Sequence, residues 1–188
     1  MNDAAVQSGD TVYIKEGTYK LSNQIDLSSK VLHLYGGFAG TETTSSDRES
    51  NIGTTLNANA DSSNRRRVLN IITNSTIDGF TITGGNTSNS GGGIYIKNSS
   101  PIITNCTITS NNTTNGYGGG IYNSGTPTIT NCTITGNNAT NTNNGYGGGI
   151  YILNSNTIIT NCTIVNNTAT SGGNEIYLMA EQQTFAIR

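Results

Sequence analysis

The chain has little charge and few apolar residues. Of its 188 residues, 11% are charged and 32% hydrophobic, where ordinary globular chains carry about 25% and 45–50%. From Gly79 to Asn174 the one charged side chain is Lys97. A formal net charge of -2 provides no basic field for nucleic acid. General acid–base chemistry needs ionisable groups held close together, and the Gly79–Asn174 span cannot assemble them. An enzyme would have to draw on Asp10, Glu16, Asp26, Glu42, Asp47, Glu49, Asp61 and Asp78, whose spacing marks no pair. No GxSxG, Walker or dinucleotide-binding signature occurs. No apolar run reaches the roughly 20 residues of a membrane helix. No signal peptide is visible, which reads as a chain trimmed behind an added Met1.

Cysteine and histidine are scarce as well. Cys106, Cys132 and Cys162 occupy one repeat position, and in-register side chains point the same way, which opposes disulfide pairing. There is no CxxC pair and the single histidine, His33, is distant, which opposes a zinc site. The three cysteines read as small buried hydrophobes and His33 as an outward strand residue. No metal and no cofactor is expected.

Asparagine, threonine, serine and glycine fill the chain, a composition that alone suggests disorder. A strict repeat overrides that reading. GGGIY, a variable stretch and then ITNCTITGNN recur, with the isoleucine at Ile94, Ile121, Ile150 and Ile176, at intervals of 27, 29 and 26. Length changes fall in one place, where Asn111–Tyr117 is replaced by the longer Asn137–Tyr146. A period in the high twenties with one tolerant loop marks a solenoid. Isoleucine, threonine and tyrosine favour strands, and threonine, asparagine and glycine disfavour helix. Strands of three to five residues pair with the same strand of the next repeat, about 4.8 Å away. The expected fold is a single all-β domain over residues 1–188, a parallel β-helix of about 6–7 coils of 26–30 residues.

Ile129 and Cys132 lie three apart, so both face inward only if the chain bends at Asn131. Asparagine accepts the left-handed conformation of such a bend. Asn105, Asn161 and Gly79 hold the equivalent places, and stacked asparagines can hydrogen-bond along the solenoid. Four inward stacks follow: Ile77/Ile103/Ile129/Ile159, Phe80/Cys106/Cys132/Cys162, Ile82/Ile108/Ile134/Ile164 and Ile94/Ile121/Ile150/Ile176. Four side chains per coil are too few to hold a coil alone, so the backbone ladder between coils must contribute.

Residues 1–67 read as an N-terminal cap, the first coils and an excursion over Ala39–Asn64, residues 68–178 as regular coils, and 179–188 as a cap or a cut end. Met1–Gln7 is expected to end an amphipathic capping helix, and Gly17–Thr18–Tyr19 to turn the chain. GDTVYIKEGTY, LYGGFAGTE, TIDGFTITGG and the GGGIY…ITNCTITGNN repeats resemble right-handed parallel β-helix proteins of the pectate-lyase-like superfamily. They are most similar to secreted and surface proteins related to polymorphic outer-membrane proteins. The resemblance covers about Ser8 to Tyr177. The Phe-x-x-Asn motif of that family stands here as Ile108-x-x-Asn111, Ile134-x-x-Asn137 and Ile164-x-x-Asn167. The resemblance implies surface exposure and adhesion-like roles.

Candidate surfaces follow from the repeat. Tyr95, Tyr122, Tyr151 and Tyr177 form an outward strip suited to sugar stacking, or to plain cross-strand packing. Thr81/Thr83, Thr107/Thr109 and Thr133/Thr135 form a Thr-x-Thr array with spacings of about 6.7 and 4.8 Å, similar to the flat arrays of ice-binding solenoids. Arg65, Arg66 and Arg67 form a candidate site for phosphate or sulfated glycan. The function expected is a non-catalytic, secreted or cell-surface module for adhesion or glycan binding. The alternatives are a spacer or self-assembling filament subunit stacked end to end, a polysaccharide lyase or hydrolase, and an ice-binding protein.

Overall fold

The computed structural model describes residues 6–42, 44, 48, 53–141, 143, 145–153, 155–179 and 186–187. The expected capping helix lies largely outside these residues. The described chain winds through about six right-handed turns of a parallel β-solenoid. Each regular turn visits four sheets. The coil that starts at Thr76 runs through Thr76–Asp78 in sheet I, Phe80–Thr83 in sheet II, Asn86–Thr87 in sheet III and Ile94–Lys97 in sheet IV. The next coil repeats these as Ile102–Thr104, Thr107–Thr109, Asn112–Thr113 and Ile121–Ser124. Registers through these regular coils are unbroken: Ile103 pairs with Ile77 and Ile129, Ile108 with Ile82 and Ile134, and Ile121 with Ile94 and Ile150.

The bends lie where the residue types require them. Asn105, Asn131 and Asn161 have φ of 52°, 54° and 50°, and Gly79 has 81°. Each turns sheet I into sheet II and brings the apolar residues on both sides inward. The expected stacks are buried through the middle of the solenoid, and Cys162, Ile164 and Ile176 become partly exposed in the last coil. A second bend at Gly84, Ser110, Gly136 and Asn166, also at positive φ, turns sheet II into sheet III. It reverses the side-chain parity, so Asn111, Asn137 and Asn167 point inward and are buried.

These three asparagines form a directional ladder that repeats from coil to coil. Asn111 Nδ2 donates to Asn137 Oδ1 (3.0 Å), to Ile82 O (3.0 Å) and to Thr109 O (3.0 Å). The backbone N–H of Asn111 donates to the same Asn137 Oδ1 (3.1 Å). Asn137 makes the same bonds to Asn167. In the last coil Glu175 Oε2 takes the place of the next amide oxygen, accepting from Asn167 Nδ2 (2.6 Å). A core of four apolar stacks is thus supplemented by a fully partnered polar one.

The glycine triplets make room for this ladder. Gly118 needs its φ of 68°. Gly120 has no space for a side chain, because a Cβ there would lie 2.6 Å from Gly149 O and 3.0 Å from Asn137 Nδ2.

The first coils differ from expectation in two places. Gly17–Lys20 is a strand of sheet II and not a turn. The excursion is shorter than Ala39–Asn64, because Thr54–Asn57 is a sheet II strand paired to Phe80–Thr83. Thr54 and Leu56 face inward there, and the Thr54 hydroxyl accepts from Gly37 N (2.7 Å) and donates to Lys15 O (3.1 Å). The segment was unreadable from sequence because its coil lacks the repeat phrase. Ala186–Ile187, in a segment that looked unlike the repeats, continues sheet I beside Ile158–Ile159.

Candidate functional site

The four strand tyrosines do align, but they do not form an open strip. Tyr95 and Tyr122 stack with centroids 5.0 Å apart and planes 7° apart, Tyr122 and Tyr151 at 5.6 Å and 8°, Tyr151 and Tyr177 at 5.5 Å and 11°. In-register strands set this spacing and bring each ring face against its neighbour. Tyr117 and Tyr146, from the variable loops, add a second row. Tyr117 stacks on Tyr151 at 4.5 Å and Tyr146 lies over Tyr177 at 4.5 Å. Tyr151 keeps its outward strand position but is covered by this second row and is 2% exposed. Its hydroxyl donates to Met179 Sδ (2.9 Å). The signal for the second row was in the sequence, as Gly-Tyr-Gly-Gly-Gly at 116–120 and 145–149.

Burial, with the surrounding phenols, pushes the Tyr151 hydroxyl up to about 12. An unfolded tyrosine titrates near 10. The fold therefore favours the neutral phenol, and this stabilisation is intact below about pH 10 and lost as pH rises through about 12. Tyrosinate absorbance should show a late-titrating tyrosine that disappears in Tyr151→Phe.

The arginine triplet is dispersed. Arg65 donates to Thr114 Oγ1 (2.6 Å), and Arg66 to Leu21 O and Ala58 O (2.7 Å each). Arg67 lies over the Tyr95 ring, 4.6 Å from its centroid. Burial lowers the pKa of Arg67, though guanidinium stays charged at neutral pH. The three cations do not converge on one anion.

The cysteines are free thiols in one internal column. The Cys106 Sγ donates to Thr104 O (3.1 Å), and Cys132 and Cys162 repeat this bond. The bond with Cys106, and then burial, push the Cys132 thiol up to about 12, against an opposing bond from Cys162. Thiolate is the reactive form, so Cys132 should resist thiol reagents at pH 8 until the chain is denatured, and Cys106, which is equally buried, should be shielded from them by packing. Fast labelling of native protein would contradict that packing.

The described candidate carboxylates have mostly structural partners. Asp78 Oδ1 pairs with Arg48 Nη1 (2.7 Å) and accepts from Asn105 Nδ2 (2.9 Å). Asp26 accepts from Asn70 Nδ2 (3.0 Å), and Asp61 closes a turn on Ser63 and Asn64. Glu42 accepts from the backbone of Ala39, Gly40 and Thr41, and these bonds, that from Ala39 foremost, lower its pKa. Asp10 accepts from Gln7 N, and Glu16 lies exposed on the surface. Asp47 and Glu49 lie outside the described residues.

The threonine array extends beyond the three pairs that define it. Register places Thr18, Thr55, Thr81, Thr107, Thr133 and Thr163 in one outward column of sheet II. Thr83, Thr109 and Thr135 form the second column, with Asn57 before them and Val165 after. Across the bend, sheet I presents Thr104, Thr130 and Thr160. The exposed asparagines form the edge between these facets: Asn131 Nδ2 donates to Asn105 Oδ1 (3.3 Å) and Asn161 Nδ2 to Asn131 Oδ1 (2.7 Å). Among the described residues, the hydroxyls of Thr81, Thr83, Thr107, Thr133 and Thr135 have no hydrogen-bond partner, and Thr109 meets Ser110 Oγ at 3.4 Å. The face carries two charges among the described residues: Lys20, which precedes Asn57 in the second column, and Asp78, which stands in the sheet I column that continues as Thr104.

No helix among the described residues is long and apolar enough to cross a membrane. Searches of curated proteins and of solved structures find no match. The family described as right handed beta helix region matches residues 44–187, which include all the regular coils, their bends and the threonine face from Thr55 onward. By that match the chain belongs to the right-handed beta helix family.

Proposed function

We propose that this chain is a non-catalytic module, secreted or displayed at a cell surface, whose threonine and asparagine face adheres to a neutral polysaccharide. The observation that supports this most is the set of unpartnered hydroxyls repeated in successive regular coils, from Thr81 to Thr135, where sheet II carries no charge. Each hydroxyl offers one donor and two acceptor lone pairs. A neutral polymer presents the same groups periodically, and many weak contacts add through avidity. The resemblance to surface proteins supports the location. The tyrosines are a poorer platform for sugars, because their ring faces already lie on one another. The structural partners of most described carboxylates weigh against a lyase or hydrolase.

Affinity electrophoresis tests this. The chain should be retarded in gels containing a neutral polysaccharide, and the Thr130→Lys/Thr133→Lys variant, which alters both facets beside Asn131, should run as in a blank gel. Retardation of the variant equal to wild type would sink the reading. If retardation is lost only in Tyr122→Ala/Tyr151→Ala, the tyrosine ladder is the binding surface.

A second reading is favoured by one observation. The six-rung threonine column is longer than the repeat phrase alone defines, which suits ice binding better. Freezing-point hysteresis lost in Thr107→Lys would support it, and freezing like that of a neutral control protein would remove it.

A further inference from the structure

A cleft of about 240 Å³ opens where the excursion meets the threonine face. Phe80 lines it, with Gly36 and Gly79 beside the ring, and Arg48, Thr54, Thr81, Asn105 and Thr107 are its polar lining residues. The glycines are required for its shape. A Cβ on Gly36 would lie 2.9 Å from the Phe80 ring, and one on Gly79 would strike the Arg48 guanidinium. Arg48 Nη1 is held by Asp78 Oδ1 and leans on Gly36 O (3.4 Å). The remaining donors of its fork have no partner among the described residues. The hydroxyls of Thr81 and Thr107 are likewise unpartnered there. Asp78 does not line the cleft but sits behind Arg48, 13% exposed, and cancels its charge.

We infer that this cleft is a sugar subsite that takes one neutral unit of the polysaccharide, with Arg48 the specificity-determining donor and Asp78 its positioning residue. This rests on the proposed polysaccharide face, which it deepens. The volume is below the roughly 300 Å³ at which drug-sized pockets begin and suits a single sugar ring. A guanidinium fork donates to adjacent hydroxyls as it does to paired oxygens. The charge sets the class. An incoming carboxylate meets an arginine already neutralised by Asp78 and is repelled by that same carboxylate, whereas a hydroxyl pair is not. The cleft marks one place along the face, because coils further along carry no equivalent ion pair among the described residues.

The test titrates wild type, Arg48→Met and Asp78→Asn with neutral gluco-oligosaccharides and manno-oligosaccharides, and with galacturonate oligomers, following binding by protein NMR shifts. Wild type should bind a neutral oligomer in preference to the uronate. Arg48→Met should weaken neutral binding about tenfold or more, the effect of losing charge-assisted hydrogen bonds. Asp78→Asn keeps an oxygen for Arg48 but removes the negative charge, so it should raise uronate affinity and reverse the preference. The Asp78→Asn result keeps the test decisive if Arg48→Met proves poorly folded. A wild-type preference for uronate, or equal neutral binding by wild type and Arg48→Met, would overturn the subsite. Polymer retardation separates the two proposals. Retardation that survives Arg48→Met but not Thr130→Lys/Thr133→Lys leaves the face standing without the subsite, and the converse leaves the subsite without the face.

Discussion

Replacing Asn137 with alanine is expected to lower the unfolding free energy by about 3–5 kcal/mol, more than most single substitutions. The residue is 1% exposed. Its amide makes four hydrogen bonds, accepting from Asn111 N and Asn111 Nδ2 and donating to Ile108 O and Asn167 Oδ1. Alanine leaves the Asn111 N–H buried without that acceptor and opens a void where the amide packed. The exposed asparagine column provides the control. Asn131 also stacks and bonds with its neighbours, but water can replace those bonds, and its special demand is a φ of 54°. Asn131→Gly meets that demand and should change stability by less than about 1 kcal/mol. Urea unfolding of both variants checks the contrast. Equal effects would mean that the inner ladder is ordinary surface chemistry.

Gly120→Ala is the second large effect, expected at about 3 kcal/mol, the upper range for overpacking. The cost is steric, because Gly120 does not adopt a positive φ. Its Cβ would press on Gly149 O in the next coil and on the Asn137 amide. A movement that relieves one contact tightens the register between the coils. Because Gly120 and Asn137 touch, their effects should not add, and the double variant should lose less than the sum of the two. Additivity in the urea midpoints would show that the glycine and the ladder are independent.

Much of the architecture was legible because the chain repeats itself. Ile103, Ile129 and Ile159 could be aligned without a structure, and the three-residue step from Ile129 to Cys132 revealed the bend at Asn131. The inner ladder was harder to see, because Asn111–Asn112 and Asn137–Asn138 are pairs in which either residue could face inward. The positive φ at Ser110 and Gly136 decides between them, and serine alone does not announce it. The tyrosine strip was located correctly by register, yet its exposure depended on Tyr117 and Tyr146, which arrive from loops of unequal length. The arginine triplet looked like one cationic patch because sequence shows adjacency, whereas strand alternation and loop geometry send the three heads to different partners. Asp78 became meaningful only when register placed it in a column that continues as threonine, with Arg48 brought across by the excursion. Irregular first coils hide such encounters, since no neighbouring repeat serves as a template.

The polysaccharide face can be tested most directly by a pull-down of wild type and Thr130→Lys/Thr133→Lys on insoluble neutral polysaccharides, at low and high salt. A surface of hydroxyls and amides with few charges should hold wild type on the polymer to nearly the same extent at both salt concentrations, since there is little charge to screen. The lysine variant should stay in the supernatant while unfolding like wild type. Binding by both proteins alike, or wild-type binding that vanishes in salt, would contradict the account and show that this face is not the adhesive surface.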